Sequence, residues 1–359
     1  MKKIVLTGGG TAGHVTPNIA LLPALQAAGY EIAYMGSYEG IEKKLIADFN
    51  IPYTGISTGK FRRYLDPKNF SDPFRVMKGF VEARNYLKNY QPDVVFSKGG
   101  FVSVPVVRAA ASLHIPCIIH ESDMTPGLAN KLCIPVAEKV CCNFPETMKN
   151  IPADKAVLTG SPIRAELAQG SRLAGLNMCG FTANKPVIMV IGGSLGAANV
   201  NKAVRDALPK LLEDFQVVHL CGKDKIDNLL LNTPGYKQFE YIKAELKDIF
   251  AMADVVISRA GANAICELLA LKKPNILIPL PAASSRGDQL LNAASFEAQG
   301  YSIVLNEDDI TTNLLVDKVH ELYFNRQNYV EAMSRSHQMD AINTIMLLIN
   351  EAANKSHTQ

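Results

Sequence analysis

Residues 2–14 read Lys-Lys-Ile-Val-Leu-Thr-Gly-Gly-Gly-Thr-Ala-Gly-His, and this stretch decides the fold. A short apolar run ends in a glycine cluster, and an apolar pattern of helical period follows over residues 15–28. Apolar runs that are buried on both faces are typical of parallel sheets. Glycines let the backbone approach a ligand closely, and the N–H groups at a helix start favour an anion such as phosphate. The stretch therefore predicts a strand, a turn suited to phosphate, and a helix.

The same arrangement occurs a second time. Residues 187–199 read Val-Ile-Met-Val-Ile-Gly-Gly-Ser-Leu-Gly-Ala-Ala-Asn, and another helical pattern follows. A chain of 359 residues is long for a single core, which favours two domains. We predict an α/β protein with two Rossmann-like, doubly wound parallel-sheet domains that face a cleft. The predicted domains are 1–162 and 163–335, with a C-terminal helix, about 336–359, packed back on the first domain.

Apolar runs and helical patterns alternate along both halves, as expected for parallel sheets. The strands predicted in the first half are 3–7, 31–35, 93–97, 116–120, 139–142 and 156–159. Its predicted helices are 15–28, 39–49, 74–90, 103–113 and 126–136. The strands predicted in the second half are 186–191, 216–221, 238–242, 254–258, 275–279 and 302–305. Its predicted helices are 197–213, 245–252, 262–271, 288–299, 311–323 and a long final stretch, 327–353.

Composition narrows the class of protein. The chain is 48% apolar and 20% charged with a net charge of +3, which suits a soluble globular protein. Its seven cysteines show no Cys-x-x-Cys spacing, and this favours reduced, buried thiols over a metal or redox site. We find no signal peptide pattern and no apolar run near the ~20 residues that a membrane-spanning helix needs. The sequence thus predicts a protein made and kept in the cytoplasm.

The first glycine cluster admits three interpretations. It fits Gly-x-Gly-x-x-Gly at Gly8, Gly10 and Gly13, which is a weak signal for a dinucleotide site. An NAD site also needs an acidic residue at the end of the second strand, but residues 34–37 read Tyr-Met-Gly-Ser. The glycines are otherwise either purely structural turn residues or part of a site for another nucleotide. His14 follows them, and an imidazole that takes a proton near neutral pH makes His14 the candidate general base. The competing role is that of a capping or packing histidine.

Other polar residues also lie at predicted strand ends. His120 and Glu121 either take part in chemistry or fix a loop, and the sequence favours neither. Residues 258–267 form a small-residue loop that enters a helix, where Glu267 either accepts two ribose hydroxyls or is an exposed helix glutamate. Arg164 at the domain junction suits a diphosphate because its charge is permanent and its donors form a fork, although a surface arginine is equally consistent.

Asp-x-Asp is absent from the entire sequence. Enzymes that hold a nucleotide diphosphate through a metal ion often use such paired carboxylates. The sequence therefore predicts neither a metal site nor a cofactor, with phosphate charge carried by glycine loops and helix ends.

Residues 60–88 combine basic and aromatic side chains. Eight Lys and Arg residues face three acidic residues, so the segment carries a net charge of +5. This composition favours contact with an anionic membrane surface. Nucleic acid is a weaker alternative because no recognisable binding module is present, and a solvated helix with its aromatic side in the core is another. The predicted membrane or acceptor residues are Phe61, Arg62, Arg63, Phe74, Arg75 and Lys78.

Several motifs together resemble one known family. They are Gly-Gly-Thr-Ala-Gly-His at 9–14, Lys-Gly-Gly-Phe-Val-Ser at 98–103, His-Glu-Ser at 120–122, Thr-Gly-Ser-Pro-Ile-Arg at 159–164, Gly-Gly-Ser-Leu-Gly-Ala at 192–197 and the block 259–267. In this order and spacing, over about residues 1–300, the chain resembles the MurG family of bacterial N-acetylglucosaminyltransferases in glycosyltransferase family 28.

The resemblance implies the GT-B fold and a role in peptidoglycan synthesis, with its links to cell shape and cell division. Family members transfer N-acetylglucosamine from UDP-N-acetylglucosamine to lipid I and so make lipid II, with inversion at the anomeric centre. The implied partners are these two substrates, an anionic membrane surface and other cell-wall synthesis proteins, without nucleic acid. The implied location is peripheral, on the cytoplasmic face of the cell membrane.

The resemblance also assigns substrate contacts by position. Arg164 and Ser194 correspond to diphosphate contacts, Ile242 to a uracil contact, Glu267 to the ribose ligand and Gln289 to a contact near the donor sugar. A helix-start loop against the nucleotide is formed by Ala262, Asn263, Ala264, Ile265 and Cys266.

Four further positions correspond to the first domain's side of the site. Thr11, Ala12 and Gly13 match the loop that approaches the donor, with Ala12 where many relatives have glycine. Asp123 stands where many relatives have an asparagine that touches the sugar.

Three other functions remain open at the level of sequence. The first is another GT-B transferase that uses a UDP-sugar and a lipid acceptor. The second is a UDP-N-acetylglucosamine epimerase, which would turn over the sugar nucleotide without an acceptor. The third is a non-catalytic scaffold that binds nucleotide and membrane.

Overall fold

The computed structural model describes residues 1–59, 68–192, 197–282 and 287–356. The chain divides into two units: unit 1 comprises Met1–Arg164 with Asp340–Gln359, and unit 2 comprises Ala165–Met339. Each unit contains one parallel β-sheet with helices on its faces, as predicted for Rossmann-like domains.

The sheet of unit 1 has seven parallel strands in the order β3-β2-β1-β4-β5-β6-β7. The strands are β1 Lys3–Thr7, β2 Glu31–Ser37, β3 Tyr53–Ile56, β4 Val94–Ser97, β5 Cys117–Glu121, β6 Lys139–Cys142 and β7 Ala156–Leu158. Strand β1 pairs with β2 on one side and β4 on the other, so the winding direction reverses there. Ligands of doubly wound sheets bind beyond the carboxyl ends of the strands at such a reversal. This places the loops after β1 and β4 at the expected site.

Helices cover both faces of this sheet. They are α1 Thr16–Ala27, α2 Ile41–Ile46, α3 Lys68–Tyr90, α4 Ser103–Ser112, α5 Leu128–Cys133 and α6 Pro145–Met148. Successive side chains of a strand point to opposite faces. Leu6 accordingly packs into the core on the α1 side, whereas its neighbour Val5 packs into the core that includes α3 and α4.

Unit 2 repeats the plan with six parallel strands in the order β10-β9-β8-β11-β12-β13. The strands are β8 Val187–Ile191, β9 Gln216–Leu220, β10 Tyr236–Phe239, β11 Val255–Ser258, β12 Asn275–Leu277 and β13 Ser302–Val304. The helices are α7 Arg172–Cys179, α8 Ala198–Asp214, α9 Leu246–Met252, α10 Ala262–Ala270, α11 Asp288–Ala298, α12 Thr312–Phe324 and α13 Arg326–Ser334. The winding reverses between β8 and β11.

A final helix, α14 Ala341–Ser356, belongs to unit 1. Its apolar face, including Ile345 and Ile349, joins the core on the α1 side of the sheet. Polar contacts also attach this helix to unit 1. For example, the Tyr30 hydroxyl donates to Asn350 Oδ1 at 2.7 Å. Unit 1 is therefore built from both ends of the chain.

Several elements differ from the sequence-based predictions. Strand β3 and helices α6 and α7 were not predicted, because β3 is a half-buried edge strand that includes Gly55 and both helices are short. Helix α3 begins at Lys68 rather than residue 74, with Pro73 inside it. The predicted helix 327–353 is two helices, because α13 ends at Ser334 and a 3₁₀ turn precedes α14. The prediction of buried, reduced cysteines is confirmed, because all seven are buried and free of disulfides.

Candidate active site

The loop after β1 makes a tight approach to the loop after β4. Gly10 has a φ of +84°, a conformation that side chains rarely adopt, and a Cβ atom there would lie 2.5 Å from the Phe101 ring. Tyr34, on strand β2, also holds the loop, because its hydroxyl donates to the Gly8 carbonyl oxygen at 2.7 Å. The loop then enters a 3₁₀ turn at Ala12–His14. Glycine at position 10 is therefore required by both backbone conformation and space.

His14 lies against this glycine loop. Its Nδ1 atom is 3.1 Å from the Gly9 carbonyl oxygen and 3.1 Å from Thr11 Oγ1. Because a carbonyl oxygen only accepts, the Gly9 contact requires the proton on Nδ1, which leaves the lone pair on Nε2. Burial and the nearby Lys98 ammonium lower the pKa of His14 to about 4, against the opposing effects of the Gly9 hydrogen bond and Glu42. His14 is thus neutral near pH 7 and can accept a proton at Nε2.

Glu42 is a buried carboxylate behind the same loop, and sequence reasoning missed it. Its Oε2 accepts the Gly10 N–H at 3.1 Å, and its Oε1 accepts the Ser37 N–H at 2.9 Å and the Ser37 hydroxyl at 2.5 Å. The Gly10 N–H is therefore already hydrogen-bonded to a carboxylate. This corrects the expectation that all the amides of this loop are available to bind phosphate. The sequence signal for Glu42 is slight: it lies just after two glycines, Gly36 and Gly40, that leave room for it.

Lys98 and His120 form a buried polar contact beneath the loops. Lys98 is 1% exposed, and its Nζ atom lies 2.9 Å from His120 Nδ1 and also donates to Ser122 Oγ. His120 Nε2 lies 2.8 Å from the Gly160 carbonyl oxygen, so Nε2 carries the proton and Nδ1 accepts. Burial and the Lys98 charge lower the pKa of His120 well below its usual value. His120 is therefore a neutral histidine that holds the chain at residue 160.

Glu121 fixes the loop that carries Asp123. Its carboxylate accepts the Asp123 N–H at 2.9 Å, the Gly127 N–H at 3.0 Å and an Asn130 side-chain N–H at 2.9 Å. The Asp123 carbonyl oxygen accepts the Thr147 hydroxyl at 3.1 Å. Of the two roles that the sequence left open for Glu121, these contacts support loop fixation.

In unit 2, helix α10 begins directly after β11, with Gly261 at its N-cap. Its first residues, Ala262, Asn263 and Ala264, are half-buried, as is Glu267 one turn further on. The side chains of Ile265 and Cys266 are buried, being 0% and 6% exposed. The predicted nucleotide loop thus presents backbone N–H groups of a helix start, while the last two side chains of the set pack inward.

Arg259 joins the loops around this helix start, and sequence reasoning gave it no separate role. Its guanidinium donates to the carbonyl oxygens of Ile278 at 3.0 Å and Pro279 at 3.2 Å. It also forms an ion pair with Glu307, whose second oxygen accepts a side-chain N–H from Asn199 at 2.6 Å. The loops after β11 and β12 and the start of α8 are therefore linked through one arginine.

The remaining predicted donor contacts have varied surroundings. Gln289 already accepts the Leu280 N–H through Oε1 at 3.1 Å, so its amide nitrogen is the group left to donate. Ile242 follows β10 and is 5% exposed. Arg164 has a buried Nε atom without a hydrogen-bond partner among the described residues. Ser194 lies outside the described residues.

The predicted membrane residues divide between two groups. Phe61, Arg62 and Arg63 lie outside the described residues. Phe74, Arg75 and Lys78 lie on α3 and are exposed, with Phe74 79% exposed. Within the described ranges, every helix is too short or too polar to span a bilayer. The same residues include no cluster of three His, Cys, Asp or Glu side chains that could hold a metal ion.

Comparison with known proteins yields a consistent result for both halves of the chain. Residues 4–142 match the glycosyltransferase family 28 N-terminal domain, and residues 187–346 match the glycosyltransferase family 28 C-terminal domain. Curated relatives from Lachnospira eligens and Lachnoclostridium phytofermentans are each 64% identical over 351 residues, which is 98% of this chain and 99% of the relative. Both are named UDP-N-acetylglucosamine–N-acetylmuramyl-(pentapeptide) pyrophosphoryl-undecaprenol N-acetylglucosamine transferase.

Solved structures also resemble this chain along nearly its full length. The crystal structure of Acinetobacter baumannii MurG is similar with a TM-score of 0.77 at 29% identity, covering 98% of this chain and 100% of that chain. A UDP-GlcNAc 2-epimerase from Neisseria meningitidis has a TM-score of 0.69 at 14% identity, with 98% of this chain and 100% of that chain covered. The latter likeness is one of fold alone.

The two parallel-sheet units, together with the likeness to the MurG structure, place the chain in the GT-B class of glycosyltransferases. The family models then specify the class further. The chain belongs to glycosyltransferase family 28, which confirms the family predicted from its motifs.

Proposed function

We propose that this enzyme transfers N-acetylglucosamine from UDP-N-acetylglucosamine to N-acetylmuramyl-(pentapeptide) pyrophosphoryl-undecaprenol, or lipid I, and so makes lipid II for peptidoglycan. The observation that carries this proposal is the 64% identity, along 98% of the chain, with relatives that bear the name of this transferase. Models of both family domains match the chain, over residues 4–142 and 187–346, which also supports the proposal.

His14 is the proposed general base. The muramoyl C4 hydroxyl of the acceptor attacks the anomeric carbon, the bond to UDP breaks, and the configuration inverts. Nε2 of His14 takes the hydroxyl proton during the attack. Support comes from the neutral state of the imidazole and from its Nδ1 contact with Gly9, which leaves Nε2 as the basic atom.

Unit 2 is the proposed donor unit. The helix start at Ala262 offers N–H groups to the nucleotide, and Glu267 is the proposed ligand of the ribose hydroxyls. Arg164, the residue at which unit 1 meets unit 2 in the sequence, is the proposed diphosphate contact. Its buried Nε atom has no partner among the described residues, and this supports the role because buried polar groups are normally hydrogen-bonded. These donors, with Ser194, would stabilise the charge that grows on the leaving diphosphate, without a metal ion.

The acceptor side includes helix α3, which we propose lies on an anionic membrane surface at the cytoplasmic face. Phe74, Met77 and Val81 are 79%, 63% and 50% exposed, and their spacing places them on one side of the helix. Exposed cations lie among them at Arg75, Lys78, Arg84 and Lys88. Apolar side chains with neighbouring cations are suited to the headgroup region of an anionic bilayer, where the apolar groups enter the lipid and the cations contact the headgroups. Partners among the cell-wall synthesis proteins remain a prediction.

The experiment that tests the activity measures UDP release from UDP-N-acetylglucosamine in EDTA, with and without a short-chain lipid I analogue. We expect release only with the acceptor, and we expect it to survive EDTA. Turnover of the sugar nucleotide without acceptor would instead identify an epimerase or hydrolase. Tight binding of the sugar nucleotide with no release under any condition would favour the scaffold and overturn the proposal.

A further inference from the structure

One peptide group connects Glu42 to His14. The N–H of Gly10 donates to Glu42 Oε2 at 3.1 Å, and the carbonyl oxygen of Gly9 lies 3.1 Å from His14 Nδ1. This N–H and this carbonyl belong to the same peptide plane, the one between Gly9 and Gly10. The carboxylate therefore reaches the imidazole through a single polarisable group.

The surroundings of Glu42 are built to hold a charged carboxylate. The side chain is 0% exposed, and two donors of Ser37 bind it in addition to the Gly10 N–H. Three glycines leave the space for this side chain. A Cβ atom would lie 2.5 Å from Glu42 Cδ at Gly9, 2.7 Å from Glu42 Cγ at Gly36 and 2.2 Å from Glu42 Oε1 at Gly40. A buried carboxylate is costly unless it is hydrogen-bonded, and these donors offset that cost.

The opposite side of the peptide group is equally confined. A Cβ atom at Gly100 would lie 2.3 Å from the Gly9 carbonyl oxygen and 3.1 Å from His14 Nδ1. Gly100 therefore has to be glycine for the carbonyl and the imidazole to meet. The peptide group is enclosed by Glu42 on its N–H side and by His14 and Gly100 on its carbonyl side.

We propose that Glu42 is the positioning residue of His14, and that it acts through the Gly9–Gly10 peptide group to fix the Nδ1–H tautomer and strengthen Nε2 as a base. Linked hydrogen bonds polarise one another, so a carboxylate on the N–H makes the carbonyl a stronger acceptor for the imidazole proton. A carboxylate that orients an imidazole directly is familiar from the serine hydrolases, and here a peptide group stands between the two. The inference rests on the proposed function, in which His14 is the base.

The charged groups near His14 have opposite effects on its pKa. The Lys98 ammonium lowers the pKa of His14, and the Glu42 carboxylate raises it. Tyr34 and Tyr53 lie near Glu42, and burial raises the pKa of both phenols, so they stay neutral. Removal of the Glu42 charge should therefore lower the pKa of His14.

The test is Glu42→Gln, which preserves size and one acceptor oxygen but removes the charge. We expect kcat to fall about 10- to 100-fold, the range known for groups that orient metal-binding histidines. We expect KM for UDP-N-acetylglucosamine to be unchanged. The acidic limb of kcat/KM should move to lower pH by about half a unit, because His14 loses a neighbouring negative charge. A purely structural role would lower activity and leave that limb in place.

Asp93→Asn is the matched control. Asp93 also accepts a backbone N–H, that of Lys3 at 2.6 Å, but at the amino end of the same sheet. This variant should also lose stability, but its acidic limb should be unchanged. Should Glu42→Gln not fold, Glu42→Asp is the second variant. Its shorter side chain draws the carboxylate away from the Gly10 N–H, so the acidic limb should move in the same direction by a smaller amount, and an unmoved limb would count against the inference.

A direct titration of the His14 imidazole by NMR separates the two proposals. A lower His14 pKa in Glu42→Gln supports the Glu42 inference even if His14→Ala keeps full kcat, which would remove His14 as the base. An unchanged His14 pKa and an unmoved acidic limb would overturn the Glu42 inference and leave the transferase proposal standing.

Discussion

Arg259 and Glu307 form an ion pair in which the two side chains are only 9% and 8% exposed. Arg259 also binds the two carbonyl oxygens after β12, and Glu307 also binds Asn199 near the start of α8. Loops that follow separate strands of unit 2 are thus held by one buried pair of charges. Two of the proposed donor contacts, the helix start at 262–266 and Gln289, follow the loops after β11 and β12.

Removal of one member of this pair should be costly. We expect Glu307→Gln to lower the free energy of unfolding by about 3–5 kcal/mol, because a buried Arg259 charge would lose its partner. We also expect a higher KM for UDP-N-acetylglucosamine. Asp206→Asn is the control, since Asp206 pairs with Lys202 at a site where the side chains are 51% and 77% exposed. Chemical denaturation should show a loss within about 1 kcal/mol there. Equal losses in the two variants would contradict the prediction.

Loss of the His14 imidazole should affect the chemical step. We expect His14→Ala to lower kcat by about 10²- to 10⁴-fold, the range for a general base. The matched control is His114→Asn, because His114 is exposed in the same unit and asparagine tolerates its left-handed φ of 58°. The control should retain the kcat of the wild type. If His14→Ala also retained it, another group would be the base.

Charge on α3 should govern attachment to membranes. We expect the double variant Arg75→Glu, Lys78→Glu to bind anionic vesicles less tightly, with the remaining binding less sensitive to salt. Co-sedimentation with vesicles that contain phosphatidylglycerol measures this. The same reversal at Lys202 and Lys210 in unit 2 should have no effect. Identical binding by all three proteins would argue against the α3 surface.

An apolar contribution to the same attachment can be measured separately. Phe74 is 79% exposed on α3, and Phe324 is 74% exposed in unit 2, so the two form a matched pair. We expect Phe74→Ser to weaken binding to anionic vesicles and Phe324→Ser to leave it unchanged, because only Phe74 would enter the bilayer boundary. Equal effects of the two changes would exclude specific insertion by Phe74.

His219 should make stability depend on pH. Its Nε2 lies 2.9 Å from Asn201 Oδ1 and its Nδ1 lies 2.8 Å from the Tyr236 hydroxyl. Burial and the charge of Arg205 lower the pKa of His219 to about 3. Because an unfolded histidine titrates near 6.5, the unfolded state binds a proton between these values that the native state excludes, so stability falls as pH falls.

Replacement of His219 tests this linkage. We expect His219→Gln to reduce the slope of unfolding free energy against pH, between pH 5 and 6, by about 1.2 kcal/mol per unit. Urea denaturation at several pH values measures the slope. A slope that His219→Gln does not change would show that His219 is protonated in the native state.

The repeated strand–loop–helix plan is readable from the sequence because it rests on local patterns. Strand β1 runs from Lys3 to Thr7, as predicted, because a continuous apolar run ends at a glycine cluster. His14 is equally visible, since a polar residue directly after such a cluster must lie near the ligand side of the sheet. Strand β3 is hidden because an edge strand with half-buried side chains has no such run.

Glu42 shows why part of the site cannot be predicted this way. It lies on α2, 28 residues beyond His14, in a stretch that reads as an ordinary surface helix. Its burial depends on the gaps left by Gly36 and Gly40, and on a strand pairing that brings β2 beside β1. Lys98 is similar: its motif is recognisable, but the contact with His120 arises only when β4 and β5 pair.

Helix α14 has a consequence for the order in which the protein is made. Residues 341–356 supply Ile345, Ile349 and three further buried residues to a core whose remaining buried members are encoded before residue 142. Synthesis proceeds from the N-terminus, and domains fold as units once their chain is available. Unit 2, Ala165–Met339, therefore leaves the ribosome in full before unit 1 can close its core. The half of the protein that is translated first is the half that finishes folding last.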